Sequence, residues 1–323
     1  MSADLHSESR LASFPVSFFA MVMGLTGLAI GWEKAQQVLH WNLGIDRWVV
    51  AAISVLFAFL LSIYLAKIWL HRQAVLNELM HPIKIHFFPT VSIGLLLLAV
   101  AFLPIEQQAS RVLWTIGAVL HLLLTLFTID TWIHRTHFKV QHMNPAWFIP
   151  AVGNVLVPVA GIPLGYTDIS WFFFSIGMLF WIVLMTIVFY RAIFHDPIEA
   201  RLLPTLFILI APPAVGFIAY TRLVPELDPF ARVLYYSALF LTLLLLSQAG
   251  RFLRLPFFLT WWAYSFPLAA IAIASLAMFE RTATDAYRWI GLGLVGLLTA
   301  IVAVLLTKTA VAVWRRAICV PGH

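Results

Sequence analysis

The sequence predicts an all-α polytopic membrane protein with ten transmembrane helices, and three observations lead to this prediction. Of its 323 residues, 62% are hydrophobic and only 11% are charged, and the mean hydropathy is +0.95. A soluble domain of this length could not cover so much apolar side chain with polar surface. In addition, long apolar runs recur ten times along the chain, and prolines are distributed unequally between alternate runs.

The ten apolar runs are separated by short polar stretches, and most are close to the roughly 20 residues that an apolar helix needs to cross a bilayer. No soluble domain is predicted at either end, so we interpret residues 1–323 as a single transmembrane domain. The runs cover residues 14–31, 48–68, 87–103, 112–133, 146–164, 170–189, 202–220, 233–246, 256–278 and 289–313.

Prolines distinguish the odd-numbered segments from the even-numbered ones. Each odd segment has a proline near its start, and three of them have a second proline break; the even segments contain none. This alternation indicates an internal repeat of helical hairpins, five times over. A broken helix leaves backbone carbonyls that lipid cannot satisfy, so the odd segments are expected inside and the even ones outside. The opening prolines are Pro15, Pro89, Pro150, Pro204 and Pro256, and the later breaks are Pro158, Pro212–Pro213 and Pro267.

The distribution of positive charge predicts the orientation of the chain. Both termini and the loops after even segments lie on one face, which holds 13 of the 20 Lys and Arg residues. An excess of Lys and Arg marks the cytoplasmic side, so both termini are predicted to be cytoplasmic. The other seven are Lys34, Arg47, Arg111, Arg222, Arg232, Arg281 and Arg288.

The ninth segment carries the strongest candidate for a pore gate. Leu259, Ala263, Phe266 and Ala270 follow one another at spacings of four, three and four, which places them on one face of a helix. The ring of Phe266 therefore stands between two alanines, next to the break at Pro267. This pattern predicts an aromatic plug in an otherwise open pore.

Small and polar residues also mark the other odd segments. Such stripes usually allow close packing between membrane helices, but their recurrence beside proline breaks favours a central pathway. The predicted pore-lining residues are Phe19, Gly24, Ser92, Pro150, Asn154, Pro158, Pro212, Pro213, Leu259, Thr260, Ala263, Pro267 and Ala270.

Charged residues are missing from the middle of every odd segment. An ion-coupled transporter normally keeps an ionisable group near the membrane midplane. His121, on an even segment, is the deepest titratable residue, and such a histidine is more often packed and hydrogen-bonded than a proton relay. We find no nucleophile elbow, phosphate loop, paired carboxylates or zinc spacing, so we predict no enzyme activity, metal, cofactor or nucleic-acid partner.

Four motifs resemble the tellurite-resistance/dicarboxylate transporter family, which includes bacterial TehA proteins and the plant guard-cell slow anion channel. They are HPIKIHFFPT (81–90), NPAWFIPAVGN (144–154), APP (211–213) and WWAYSFP (261–267). The resemblance implies five tandem hairpins with pseudo-fivefold symmetry around a central pore, and a homotrimer with a pore in each protomer. It also implies a gating phenylalanine at Phe266 and a small pore residue at Gly24. Pro267 departs from the glycine of some bacterial members.

The residues and the resemblance together favour an anion channel of the bacterial inner membrane. It would conduct small monovalent anions such as nitrate and chloride through a neutral pore gated by Phe266. The main alternative is a secondary transporter of C4-dicarboxylates or of other small anions such as sulfite or tellurite, and the FFPT motif resembles the dicarboxylate branch. A membrane-embedded enzyme or a structural subunit is a third class, for which the sequence offers no catalytic set.

Overall fold

The structure is a computed structural model that describes residues 9–41, 43–44, 46–136 and 138–319. Within these ranges every regular element is an α-helix or a 3-10 helix. The α-helices are α1 (Phe19–Leu39), α2 (Asp46–Leu70), α3 (Arg72–Met80), α4 (Thr90–Phe102), α5 (Gln107–His134), α6 (Phe148–Val152), α7 (Val157–Gly161), α8 (Thr167–Phe194), α9 (Ala211–Leu223), α10 (Pro229–Leu246), α11 (Ala249–Phe252), α12 (Ser265–Thr282) and α13 (Asp285–Trp314).

Five uninterrupted helices, α2, α5, α8, α10 and α13, form the outside of the molecule. Between 28% and 39% of their most apolar stretches is buried. Their exposed side chains are largely Leu, Ile, Val, Phe and Trp. A helix that exposes such residues along most of its length is suited to contact with lipid rather than water.

The remaining segments form the inside, and each begins with a 3-10 helix before it continues as an α-helix. The first, third, seventh and ninth segments lead into α1, α4, α9 and α12 respectively. In the most apolar 18 residues of Val16–Leu39, 56% are buried, and in the corresponding windows of Lys84–Phe102, Leu203–Leu223 and Leu259–Thr282 the share is 72% each. We call these four, together with residues 145–161, the inner segments.

Prolines explain where the inner helices break. Pro158 and Pro212 lie in the first turns of α7 and α9, and Pro267 is the third residue of α12. Proline lacks the backbone N–H that an interior helical residue donates, but the first turn does not use that donor. An α-helix can therefore begin just before these prolines, but an α-helix that began earlier in the chain could not continue past them. The residues that precede them adopt the tighter 3-10 conformation.

The predicted fold class is confirmed. Among the described residues, nine helical stretches are long and apolar enough to cross a membrane. The fifth predicted segment is shorter, Pro145–Gly161, because it divides into α6 and α7 around a 3-10 turn at Gly153–Leu156. The chain is thus a multi-pass membrane protein with broken helices inside and continuous helices outside.

Candidate functional site

All five inner segments line a narrow central cavity of about 70 Å³. The first contributes Ser17, Ala20 and Met23, and the third Phe87, Thr90 and Ile93. The fifth contributes Phe148, Ile149, Val152, Gly153, Val155 and Leu156. The seventh contributes Ile208, Ala211, Pro212 and Val215, and the ninth Leu259, Thr260, Trp262, Ala263, Phe266 and Pro267.

The cavity wall is uncharged. None of the described residues that line it has an ionisable side chain, and the polar groups among them are mainly the hydroxyls of Ser17, Thr90 and Thr260. Thr90 donates its hydroxyl to the carbonyl of Phe87, and Thr260 donates to the carbonyl of Arg201. With their protons committed to the backbone, these two threonines leave a wall with little polar character.

Phe266 lies on the cavity-facing side of α12. Its side chain is only half-buried, whereas the preceding Ser265 is fully buried. One edge of the ring lies against α1, because a Cβ atom built on Gly27 would be 3.5 Å from Cδ2 of Phe266. The ring therefore borders the cavity on one side and is supported by a neighbouring inner helix on the other.

A second cavity of about 560 Å³ adjoins the central one, and we call it the vestibule. The two spaces share Ser17, Phe87, Leu259 and Thr260. Unlike the central cavity, the vestibule is lined by charged side chains. These are Glu78, Lys84, Glu199 and Arg201, together with His81.

The charge in the vestibule affects His81. Burial and the nearby positive charges of Lys84, His142 and Arg201 lower the pKa of His81 below its ordinary value. The Nδ1 atom of His81 accepts hydrogen bonds from the backbone N–H groups of Ile83, at 3.1 Å, and Lys84, at 3.3 Å. Both effects favour the neutral imidazole, so the fixed positive charge here comes from the Lys84 and Arg201 side chains.

Six of the residues singled out by the sequence line the central cavity: Phe266, Pro212, Leu259, Thr260, Ala263 and Pro267. The other eight are not among the residues that line it. These eight are Phe19, Gly24, Ser92, Pro150, Asn154, Pro158, Pro213 and Ala270.

Packing between helices accounts for Gly24 and Phe19. A Cβ atom on Gly24 would lie 2.1 Å from Oγ of Ser265, so this glycine permits close contact between α1 and α12. The ring of Phe19 is completely buried and packs edge-on against Phe57 and Tyr64 of α2. The small-residue stripe of the first segment thus serves mainly helix packing.

Ser92 and Asn154 point towards the outer helix α5 instead of the cavity. Ser92 Oγ lies 2.9 Å from Nδ1 of His121, and Asn154 Nδ2 donates to Thr125 Oγ1 at 3.1 Å. Polar side chains inside a membrane protein need internal partners, and here these partners lie on the neighbouring helix. The third and fifth segments are therefore joined to α5 by buried hydrogen bonds.

Gly153 is a cavity-lining residue that the sequence reading did not include. A Cβ atom on Gly153 would lie 2.8 Å from Nε2 and Cε1 of His121. The absence of a side chain lets the imidazole of His121 approach the backbone of Gly153, which lines the cavity. The sequence feature that could have identified Gly153 as a lining residue is its position next to Asn154 in a segment broken by prolines.

The 3-10 geometry explains how Thr260 lines the cavity together with Ala263 and Phe266. Thr260, Ala263 and Phe266 follow one another at intervals of three, which is the period of a 3-10 helix. The stretch Leu259–Tyr264 has this conformation, whereas Ala270 lies further along in the α-helix α12, where it is buried and does not line the cavity.

The chain is similar in sequence to a family of anion channels and transporters. Residues 13–310 match the family model SLAC1, described as a voltage-dependent anion channel. The chain is 30% identical to the S-type anion channel SLAH2 of Arabidopsis thaliana over 308 residues, which cover 93% of this chain and 59% of the relative.

Microbial relatives are matched over most of their length. The chain is 27% identical to the uncharacterized transporter MJ0762 of Methanocaldococcus jannaschii, over 94% of this chain and 95% of the relative. It is 24% identical to a tellurite resistance protein TehA homolog of Haemophilus influenzae, over 82% and 81%. By contrast, it spans only about three fifths of SLAH2 and about two fifths of the related plant channel SLAH3. Because the family model covers nearly the whole chain, this protein belongs to the SLAC1 family.

Proposed function

We propose that the protein is a channel for small monovalent anions such as nitrate and chloride. The observation that carries this proposal is the narrow, uncharged cavity to which all five inner segments contribute. The plant relatives are named as S-type anion channels, and the family model as an anion channel, which supports the same class of substrate.

The neutral wall determines how anions would be selected. A site without fixed charge offers an anion only partial charges, so it binds weakly and releases quickly. The cost of removing water from the ion then dominates, which favours weakly hydrated monovalent anions such as nitrate over chloride, and both over sulfate.

Phe266 is proposed as the gate of this pathway. Its half-buried ring borders a cavity of only about 70 Å³, where an aromatic side chain both occupies space and keeps the passage apolar. Narrow apolar constrictions exclude water and therefore ions. Movement of this ring, or of α12 on which it lies, would open the path.

We propose that one chain forms one complete pore, with its five hairpins in pseudo-fivefold arrangement and both termini in the cytoplasm. The cavity is lined by residues of a single chain, so assembly is not needed to build it. A homotrimer in a bacterial inner membrane would then contain three separate pores. Native mass spectrometry from nanodiscs would show a mass of three chains, whereas a fully active monomer would contradict the trimer.

Recording from the purified protein in planar bilayers tests the channel proposal. A channel gives single-channel anion currents, with nitrate more permeant than chloride and sulfate least permeant. A carrier of dicarboxylates or other small anions gives saturable uptake without such currents, driven by a pH or ion gradient. That second result, or sulfate permeating better than nitrate, would overturn the proposal.

A further inference from the structure

A buried cluster of charged and polar groups lies at the edge of the vestibule. Lys67 of α2 donates from Nζ to Oε2 of Glu78 in α3 at 2.7 Å, and the hydroxyl of Tyr64 donates to the same oxygen at 3.0 Å. Lys67 is only 2% exposed and Glu78 only 6%. The connecting helix α3 is therefore attached to the outer helix α2 by a nearly dry ion pair.

The same two charged residues also hold the start of the first inner segment. Oε1 of Glu78 accepts a hydrogen bond from the backbone N–H of Val16 at 3.0 Å. Nζ of Lys67 donates to the carbonyl of Phe14 at 2.8 Å. The two bonds lie on either side of Pro15, so the backbone of residues 14–16 is held through both a donor and an acceptor.

This backbone leads directly to the junction of the central cavity and the vestibule. Val16 begins the 3-10 helix Val16–Phe18, and its N–H has no partner inside that helix. The next residue, Ser17, lines both the central cavity and the vestibule. A displacement of Val16 would therefore move Ser17 at the junction of the two spaces.

Stability alone is a weak reason for such a cluster. Burying a Lys and a Glu removes both charges from water, and apolar side chains of similar volume often stabilise a protein equally well or better. What the charges provide is a defined position, because the carboxylate accepts three directed hydrogen bonds. The donors Lys67 Nζ, Tyr64 Oη and Val16 N–H form a cradle of the kind that binds a carboxylate.

We propose that Glu78 is a positioning residue for the pore entrance, and that its carboxylate occupies an anion-binding cradle formed by Lys67, Tyr64 and the backbone of Val16. By filling this cradle, Glu78 fixes the first turn of the first inner segment and with it Ser17. The part of the inference that concerns permeation rests on the proposed channel function; the part that concerns the cradle does not.

Chemical rescue tests the cradle without reference to transport. Glu78→Ala leaves the three donors in place and removes the carboxylate, so formate should raise the melting temperature of this variant in a concentration-dependent way. Sodium chloride at equal concentration serves as the salt control. Wild type and Glu199→Ala, which removes an exposed vestibule carboxylate, should not respond to formate. A folded Glu78→Ala protein that formate does not stabilise would overturn the proposal that these three donors bind a carboxylate.

Ion selectivity tests the positioning role. The double variant Lys67→Met/Glu78→Met removes both buried charges together, so it is expected to fold even if Glu78→Ala does not. With the Val16 N–H no longer held, its nitrate-to-chloride permeability ratio should change by about threefold or more, the equivalent of one ordinary hydrogen bond. Asp196→Ala, which removes an exposed carboxylate that lines neither the central cavity nor the vestibule, should keep the wild-type ratio.

A permeability ratio is independent of the amount of protein in the membrane, so a loss of expression would not imitate this result. An unchanged ratio in the folded double variant would contradict the positioning role while leaving the channel proposal intact. If the wild-type protein carries no anion current, the channel proposal and the proposed role of Glu78 in permeation both fail. The formate experiment still tests whether Lys67, Tyr64 and Val16 form a carboxylate-binding cradle.

Discussion

Phe266 of α12 lies against Gly27 of α1, at a position where a Cβ atom on Gly27 would come within 3.5 Å of the ring and 2.8 Å of the Cβ atom of Ala269. The contact connects the candidate gate to the small-residue stripe of the first inner segment. The same stripe contains Gly24, which faces Ser265 one turn earlier. The position of the Phe266 ring therefore depends on how closely α1 and α12 approach each other.

Gly27→Ala should destabilise the protein by about 1–3 kcal/mol, because the added methyl group would overlap with Ala269 and force the two helices apart. Gly293→Ala is the matched control, since Gly293 lies in the outer helix α13 with no atom within 4 Å of its added Cβ. That change should be neutral or stabilising by up to about 1 kcal/mol. Thermal melting of the two variants in one detergent compares them, and equal melting temperatures would contradict the close packing.

Thr125→Val should destabilise the protein by about 1–3 kcal/mol, because the buried carbonyl of Pro150 and the buried amide of Asn154 each lose a hydrogen-bond partner. The Thr125 hydroxyl lies 2.8 Å from the carbonyl oxygen of His121 and 2.7 Å from that of Pro150, which share its single proton, and it accepts a hydrogen bond from Asn154. Thr115→Val in the same helix is the control, because that exposed hydroxyl bonds only to the carbonyl of Arg111 in its own helix.

Melting temperatures report the difference between these two variants. Because neither Thr125 nor Asn154 is among the residues that line the cavity, the anion permeability ratio of Thr125→Val should equal that of wild type. A changed ratio with unchanged stability would mean that the Asn154 amide acts on the permeating ion.

Acidification should destabilise the protein partly through His81. Its pKa in the folded protein is lowered by burial and by Lys84, His142 and Arg201, against an opposing effect of Glu78. The unfolded chain, with a pKa near 6.5, then binds the proton more readily than the folded one. The stability contributed by neutral His81 is complete above this value and is lost as the pH falls below it.

His81→Asn tests this effect, because an asparagine oxygen can still accept the backbone N–H bonds of the turn but does not titrate. The loss of melting temperature between pH 7 and pH 5 should be smaller in His81→Asn than in wild type. An identical loss in both proteins would show that His81 does not contribute.

The sequence predicted the arrangement of helices well, because its strongest signals concern the backbone. Proline removes a donor wherever it occurs, and lipid tolerates the resulting break only away from its hydrocarbon. The alternation of proline-broken and continuous segments therefore predicted which helices are inside, and the buried fractions agree.

The lining of the cavity was harder to predict, because it depends on the local helical period and on partners from other segments. Counting at 3.6 residues per turn placed Ala270 on the lining face, whereas the lining from this segment ends at Pro267, near the start of α12, and Ala270 is buried. Polarity was also a misleading guide. Ser92 and Asn154 were assigned to the pore because they are polar, but Ser92 Oγ lies beside His121 and the Asn154 amide nitrogen donates to Thr125, both of which are on α5.

Replacement of Phe266 tests the central claim most directly. Phe266→Ala should raise the single-channel anion conductance at least about tenfold, which corresponds to lowering the barrier to permeation by about 1.4 kcal/mol. Phe266→Leu should give an intermediate conductance. The stability cost should be about 3 kcal/mol or less, since a ring beside a cavity has fewer packing contacts than a core phenylalanine. Phe257→Ala and Phe258→Ala, which alter phenylalanines lining the vestibule, should change the conductance much less. A folded Phe266→Ala protein with wild-type current in planar bilayers would contradict the gate.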